Sequence, residues 1–316
     1  MALFEDLKIF SGNAHPSLAA DVCSYLGITI GKLEAFKFSN DNTFVRINEN
    51  IRERDVFLIQ PIAAPVNDNL MELLIMIDAA KRASAGRVTA VVPYYGYGRS
   101  DKKDQPRVPI TARLVANLFE VSGADRVLTV DLHAGQIQGF FNIPLDELSA
   151  VGLLANHFRD RNIPDLVITA TDVGGGKHAR DTARVLDAPI AIVEKMRIGN
   201  NDKVEAVNLI GNVEGKNALI VDDEIGTGGT VAATASALIE HGAKDIYCAA
   251  THPVYAGAAG EAIEQSSIKE VVVTDTLPLS KESKGTKTSI VTVASLLGEA
   301  IHRIHSGLSV GAMFEQ

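Results

Sequence analysis

The sequence predicts an α/β protein built as two tandem units, each a mainly parallel sheet flanked by helices. Strand-like and helix-like segments alternate from one end of its 316 residues to the other, the pattern that generates parallel sheets. That length suits two domains of ordinary size. Several short apolar runs also end in an acidic residue and a glycine-rich turn before a helix. An open α/β sheet places its ligands at such strand ends.

In chain order, His15 to Leu26 reads as the first helix, and Phe44–Arg46 and Asp55–Gln60 as strands. Leu70, Leu73, Leu74, Ile77 and Ala80 recur at the three-and-four spacing of a half-buried helix, capped by Asn67 or Asn69. Val88–Pro93 is a strand, Pro109–Val121 a helix, and Arg126–Val130 a strand running into Asp131-Leu132-His133. A second series follows, with helix Val151–Arg161, strand Leu166–Thr171, helix Gly176–Leu186 and strand Pro189–Val193. The apolar run Ala218–Val221, helix Val231–Glu240, strands Asp245–Ala250 and Glu270–Thr274, and helix Val293–His305 complete it. The expected division is residues 1–148, joined by the C-terminal helix 293–316, and residues 149–292.

Composition excludes several classes. Apolar content of 46% and charged content of 22% are those of a globular protein. A net charge of −9 argues against nucleic-acid and anionic-membrane binding. Cys23 and Cys248 are too few and too separated for a disulfide framework or a zinc site, so a reducing cytoplasm is the expected compartment. No apolar run approaches membrane-spanning length, and MALFEDLKIFSG lacks a signal pattern.

The most informative stretch is Asn217–Thr230, NALIVDDEIGTGGT. A buried-strand run leads to Asp222 and Asp223, then to the turn Gly226-Thr227-Gly228-Gly229-Thr230 and an alanine-rich helix. Glycines let successive N–H groups converge, and the helix N-terminus adds its positive dipole end, so the loop suits a phosphate. The paired acids suit either sugar hydroxyls or a hydrated metal ion. Both together fit a phosphorylated sugar.

Four other features carry chemistry. In YYGYGRSDKKDQPRVPIT, Arg99 suits stacking on a base or binding phosphate oxygens. In DLHAGQIQGFF, His133 sits at a strand end beside Asp131, Gln136 and Gln138, which favours a site role over a structural one. TATDVGGGKHAR superficially suggests a P-loop, but Lys177 is followed by His178 rather than Ser or Thr. Asp172 there remains a candidate Mg²⁺-water ligand. Lys195 and Arg197 enter the polar loop Ile198–Lys203, either as a solvated basic turn or as cations neutralising charge in phosphoryl transfer.

The stretch VDDEIGTGGT resembles the sugar-phosphate loop of the type I phosphoribosyltransferase fold. Joined to NDNLMELLIMIDAAKRASA, VDLHAGQIQGFFNIPLD, THPVYAG and AIHRIHSGLSV, it makes the whole chain similar to the ribose-phosphate pyrophosphokinases. That resemblance implies two phosphoribosyltransferase-like domains in a homo-oligomer, usually a hexamer built from dimers. It implies transfer of the diphosphoryl group of ATP, with Mg²⁺, to the C1 hydroxyl of ribose 5-phosphate. Mapped onto this chain, Gly226, Thr227, Gly228, Gly229 and Thr230 would hold the 5-phosphate, with Asp222 and Asp223 on the ribose hydroxyls or associated Mg²⁺. His133 and Asp172 would be the magnesium-associated pair, and Lys195 and Arg197 the catalytic-loop cations. Phe38, Asn40, Asp41, Asn42, Arg99 and Ser100 fall where the family binds ATP.

The chain departs from the family pattern at Asn42 for a glutamate, Ser100 for a glutamine, Gly226 for an aspartate and Met196 for an arginine. Two other readings fit parts of this pattern. A non-catalytic regulatory subunit would explain the departures but not the retention of both Lys195 and Arg197. A base-transferring phosphoribosyltransferase would need the sugar loop but only one such domain.

Overall fold

A computed structural model describes residues 6–172, 174–196 and 206–313. The chain divides into two compact units, the first running to Leu148 and resuming at Val293, the second spanning Ser149–Thr292.

The first unit opens with β1 (Leu7–Ser11), α1 (Pro16–Leu26), β2 (Leu33–Lys37), β3 (Thr43–Ile47), β4 (Asp55–Ile59) and α2 (Val66–Arg82). It continues with β5 (Arg87–Val92), α3 (Thr111–Ser122), β6 (Arg126–Val130) and β7 (Leu145–Leu148). Its five-stranded sheet runs in the order β1-β4-β5-β6-β7, and every pairing is parallel. All five β4 residues are buried, as strands covered on both faces require. Leu73, Met76, Ile77 and Ala80 of α2 and Ala112, Val115 and Phe119 of α3 form one core with Val56, Leu58, Val88, Ala90 and Val127. β2 and β3 stand apart as an antiparallel hairpin.

The second unit comprises α4 (Val151–Arg159), β8 (Leu166–Ala170), α5 (Gly176–Leu186), β9 (Ile190–Met196), β10 (Ala206–Ile210) and β11 (Asn217–Ile225). It continues with α6 (Gly229–Glu240), β12 (Ile246–Pro253), α7 (Ala259–Gln265), β13 (Ile268–Thr274), α8 (Lys281–Lys284) and β14 (Thr288–Val291). The sheet order is β10-β9-β8-β11-β12-β13-β14, with only β10 antiparallel to its neighbour. Separate cores form on its two faces. Val231, Ala235 and Leu238 of α6 pack with Ala218, Ile220 and Cys248, while Leu154 and Phe158 of α4 pack with Leu219, Val221 and Tyr247.

The chain then returns to the first unit as α9 (Ala294–Ser306). A buried charge node ties it there. Asp55, at the start of β4 and fully buried, accepts bonds from Arg87 at 2.8 and 2.5 Å. Arg87 donates onward to the Ile304 carbonyl at 3.0 Å, and His305 Nδ1 lies 2.9 Å from the same carboxylate.

Several expectations are corrected. Neither Asn67 nor Asn69 caps α2: the helix starts at Val66 behind Pro65, whose ring already holds φ near the helical value. Asn69 instead donates to the Ala63 carbonyl at 3.0 Å. β11 extends through both acids to Ile225 because β12 continues to pair with it beyond Val221, while β8 does not. β9 runs on to Met196 in register with β10, so Lys195 lies on the strand rather than beyond it. Arg197 and Ile198–Lys203 lie outside the described residues.

Removing one member of the buried node strands the others. Asp55→Ala should destabilise the chain by about 3–5 kcal/mol, the scale of a broken buried ion pair. It should also speed amide exchange in α9. Guanidinium unfolding with hydrogen-exchange mass spectrometry tests this, and an unchanged midpoint would refute the node's role.

Candidate active site

The strand order of the second unit contains a switch point, the place where open α/β sheets bind their ligands. From β8 the chain passes through α5 to β9 on one side, then returns by way of β10 to β11 on the other side of β8. The connections leaving β8 and β11 therefore diverge, and a crevice opens beyond the carboxyl ends of these two strands. The acids identified in the sequence stand at its rim.

Asp172 lies two residues beyond the end of β8 and is exposed, and its Oδ1 accepts the Gly175 N–H at 2.9 Å. Asp222 and Asp223 are partly buried near the end of β11. Asp222 Oδ2 accepts the Thr171 hydroxyl at 2.9 Å, and Oδ1 accepts the Asp223 N–H at the same distance. Burial pushes the Asp222 carboxyl up to about 7, and the adjacent Asp223 carboxylate adds to that rise. Two acids this close on one strand end are waiting for hydroxyl donors or positive charge.

The glycine-rich turn follows. Gly228 has φ +79 and stands at the N-cap of α6, a left-handed conformation in which an L side chain is strained. A Cβ there would also meet the Ala259 carbonyl at 3.1 Å. Because glycine has no capping side chain, the first-turn N–H groups of α6 lack that partner, which suits them to an anion. Thr227, Gly229 and Thr230 are exposed and Gly226 partly so. The Gly226 carbonyl accepts the Ala256 N–H at 3.0 Å, anchoring the turn from behind. The helix begins two residues earlier than the expected Val231, which brings Thr230 into its first turn.

The remaining candidates lie in the first unit. Phe38, Asn40, Asp41 and Asn42 form the tip of the β2–β3 hairpin, closed by the Phe38 N–H to the Asn42 carbonyl at 2.9 Å. Phe36, Phe38 and Phe44 cluster at centroid distances of 5.0–5.5 Å, yet Phe36 and Phe38 keep 46% and 48% of their surface exposed. Lys37 pairs with Asp41 at 2.8 Å and with Asp68 of α2 at 2.9 Å. Arg99 is exposed after β5, while Ser100 bonds Thr111 at the start of α3 at 3.2 Å. His133 is exposed after β6. The two loops meet where Gln136 donates to Asp101 at 2.7 Å and Gly98 approaches the His133 side chain. Among the described residues no cluster of three or more His, Cys, Asp or Glu side chains could hold a metal.

Thr171, 2% exposed, went unremarked in the sequence. Its signal was a hydroxyl residue between a buried strand and Asp172.

The model for the N-terminal domain of ribose phosphate pyrophosphokinase matches residues 7–123, and that for the phosphoribosyl synthetase-associated domain matches residues 167–315. The ribose-phosphate pyrophosphokinase of Caldanaerobacter subterraneus subsp. tengcongensis is 51% identical over 309 residues, 98% of each chain. This chain belongs to the ribose-phosphate pyrophosphokinase family. The Oceanobacillus iheyensis relative of that name is 48% identical over 98% of this chain and 97% of its own. The crystal structure of phosphoribosylpyrophosphate synthetase from Mycobacterium smegmatis superposes with a TM-score of 0.90 at 40% identity, over 95% of this chain and 99% of its own. As a ribose-phosphate pyrophosphokinase, the chain is a transferase that forms phosphoribosyl pyrophosphate from ATP and ribose 5-phosphate. Its phosphoribosyltransferase-like α/β fold is the one expected from the sequence.

The raised Asp222 makes a pH prediction. An acid with an ordinary value of 3.8 unfolded and about 7 folded contributes stability that is complete below pH 4 and lost as pH rises through 7. Asp222→Asn does not titrate, so at pH 8 the variant should be more stable than the parent and melt higher, by up to about 4 kcal/mol for a shift of this size. The difference should vanish near pH 4. Parallel melting profiles from pH 4 to 8 would contradict it.

Proposed function

We propose that the crevice between β8 and β11 is the ribose 5-phosphate site and that the first unit supplies the nucleotide side. The observation that carries this reading is the juxtaposition of Asp222 and Asp223 with the N-terminus of α6 at the strand-order switch. The 5-phosphate sits on the backbone of Gly226, Thr227, Gly228, Gly229 and Thr230, where converging N–H groups and two hydroxyls neutralise it. Asp222 and Asp223 then accept bonds from the ribose hydroxyls, which orients C1 outward. The C1 hydroxyl attacks the β-phosphorus of ATP, a C1–O–P bond forms, and the bond to the α-phosphate oxygen breaks to release AMP. Lys195 and Arg197 neutralise the charge that develops on the bridging and non-bridging oxygens.

Nucleotide binding is assigned to Phe38, Asn40, Asp41 and Asn42 on the hairpin tip and to Arg99 and Ser100 in the loop after β5. The exposed ring of Phe38 suits stacking on a base, and an exposed guanidinium suits phosphate oxygens.

Mg²⁺ fits the donor set. It keeps several waters and takes one or two carboxylates plus substrate phosphates, rather than an all-protein cage. Exposed Asp172 would hold it in the second unit, and His133, through water, is the magnesium-associated residue of the first. Bound there, it would neutralise phosphate charge.

The reading extends to a cytoplasmic homo-oligomer, a hexamer built from dimers. Exposed Leu114, Leu118 and Val121 on α3 supply an apolar stripe suited to a subunit contact. Nucleic acid and membrane are not partners on this reading. The net charge of −9 supports it, and among the described residues no helix is long and apolar enough to cross a membrane.

A quenched reaction with ATP, Mg²⁺ and ribose 5-phosphate, read by ³¹P NMR, should show AMP and phosphoribosyl pyrophosphate in equal amounts. Lys195→Ala should reduce the rate at least 100-fold, in the range reported for loss of one transition-state donor. Undiminished turnover would remove Lys195 from the mechanism.

A further inference from the structure

We infer that Thr171 is a positioning residue for ribose 5-phosphate, holding the Asp222 carboxylate in the orientation that receives the sugar. This rests on the assignment of Asp222 to the sugar site.

The pairing of β8 with β11 ends at Ala170 opposite Val221. Thr171 and Asp222 are the next residue on each strand, just where the backbones lose their mutual hydrogen bonds. The side chains take over, with the Thr171 hydroxyl donating to Asp222 Oδ2 at 2.9 Å. Oδ1 accepts the Asp223 N–H at 2.9 Å. Each oxygen thus has a fixed donor, and the two bonds together set the plane of the carboxylate.

Carboxylate torsions are broad and soft, so this orientation depends on its donors. Thr171 itself is 2% exposed, so its hydroxyl acts on the site through Asp222, to which it donates.

Valine keeps the branched shape and removes only the hydroxyl. Thr171→Val should raise KM for ribose 5-phosphate about tenfold, the scale of one hydrogen bond to a charged group. KM for ATP should stay within about twofold, and calorimetry without nucleotide should show the same tenfold loss in sugar-phosphate affinity. Thr171→Ser should restore both values. Thr171→Ala, compared with Thr171→Ser, serves the same purpose if the valine variant fails to fold.

Unchanged sugar-phosphate binding in Thr171→Val overturns the inference. So does an equal rise in both KM values that serine leaves uncorrected, since that marks a general structural defect. Asp222→Asn separates the levels. If it binds ribose 5-phosphate like the parent, the sugar-site assignment fails and the inference with it. If it binds weakly while Thr171→Val binds normally, only the positioning role fails.

Discussion

Everything at the candidate site depends on the divergence of the chain from β8 and β11. Parallel strands bond along their shared length, but their connections must leave in opposite directions at a switch in strand order. Buried strands can then present polar groups at their ends, between the two diverging connections. Asp172, Asp222 and Asp223 stand there, and α6 starts beyond them. On the proposed assignment the carboxylates serve hydroxyl groups and the backbone donors a phosphate, the two chemistries of a sugar phosphate. The close acids are unfavourable on their own, as the elevated Asp222 carboxyl records, and a bound sugar or cation relieves that tension.

The first unit follows a different plan. Its strands run in sequence order across the sheet and have no such switch, so its candidate residues are borne on loops and on the β2–β3 hairpin. These are held by local polar ties: Lys37 to Asp68, Ser100 to Thr111, and Gln136 to Asp101. A hairpin with two half-exposed phenylalanines is poorly buried for its composition, which favours a binding role over a packing one.

Much of this was legible in the sequence because the relevant signals are local. An apolar run, two acids and a glycine-rich turn identify a strand end and a helix start without reference to the rest of the chain. The family resemblance supplied the reaction and the residue roles, which residue spacing alone left open between sugar and metal. The strands β1, β2, β7, β10 and β14 escaped because runs of four or five residues carry too little periodicity to stand out alone. The caps on α2 were misplaced because Pro65 outranks a favourable asparagine two or four positions later. The Asp55–Arg87–His305 node and the Thr171–Asp222 bond were invisible for another reason: their partners lie 250 and 51 residues apart. Contacts of that kind exist only once the sheet order is known.

The return of α9 to the first unit has a consequence for biosynthesis. The sheet of the first unit emerges from the ribosome well before the helix that pairs with its Asp55 node. At typical elongation speeds the interval is roughly 7 to 30 seconds. The second unit is made in that interval and, being contiguous in the chain, needs no later segment to fold, while the first waits with one surface uncovered. A premature stop a few codons before α9 would therefore spare the later-made domain and cripple the earlier one.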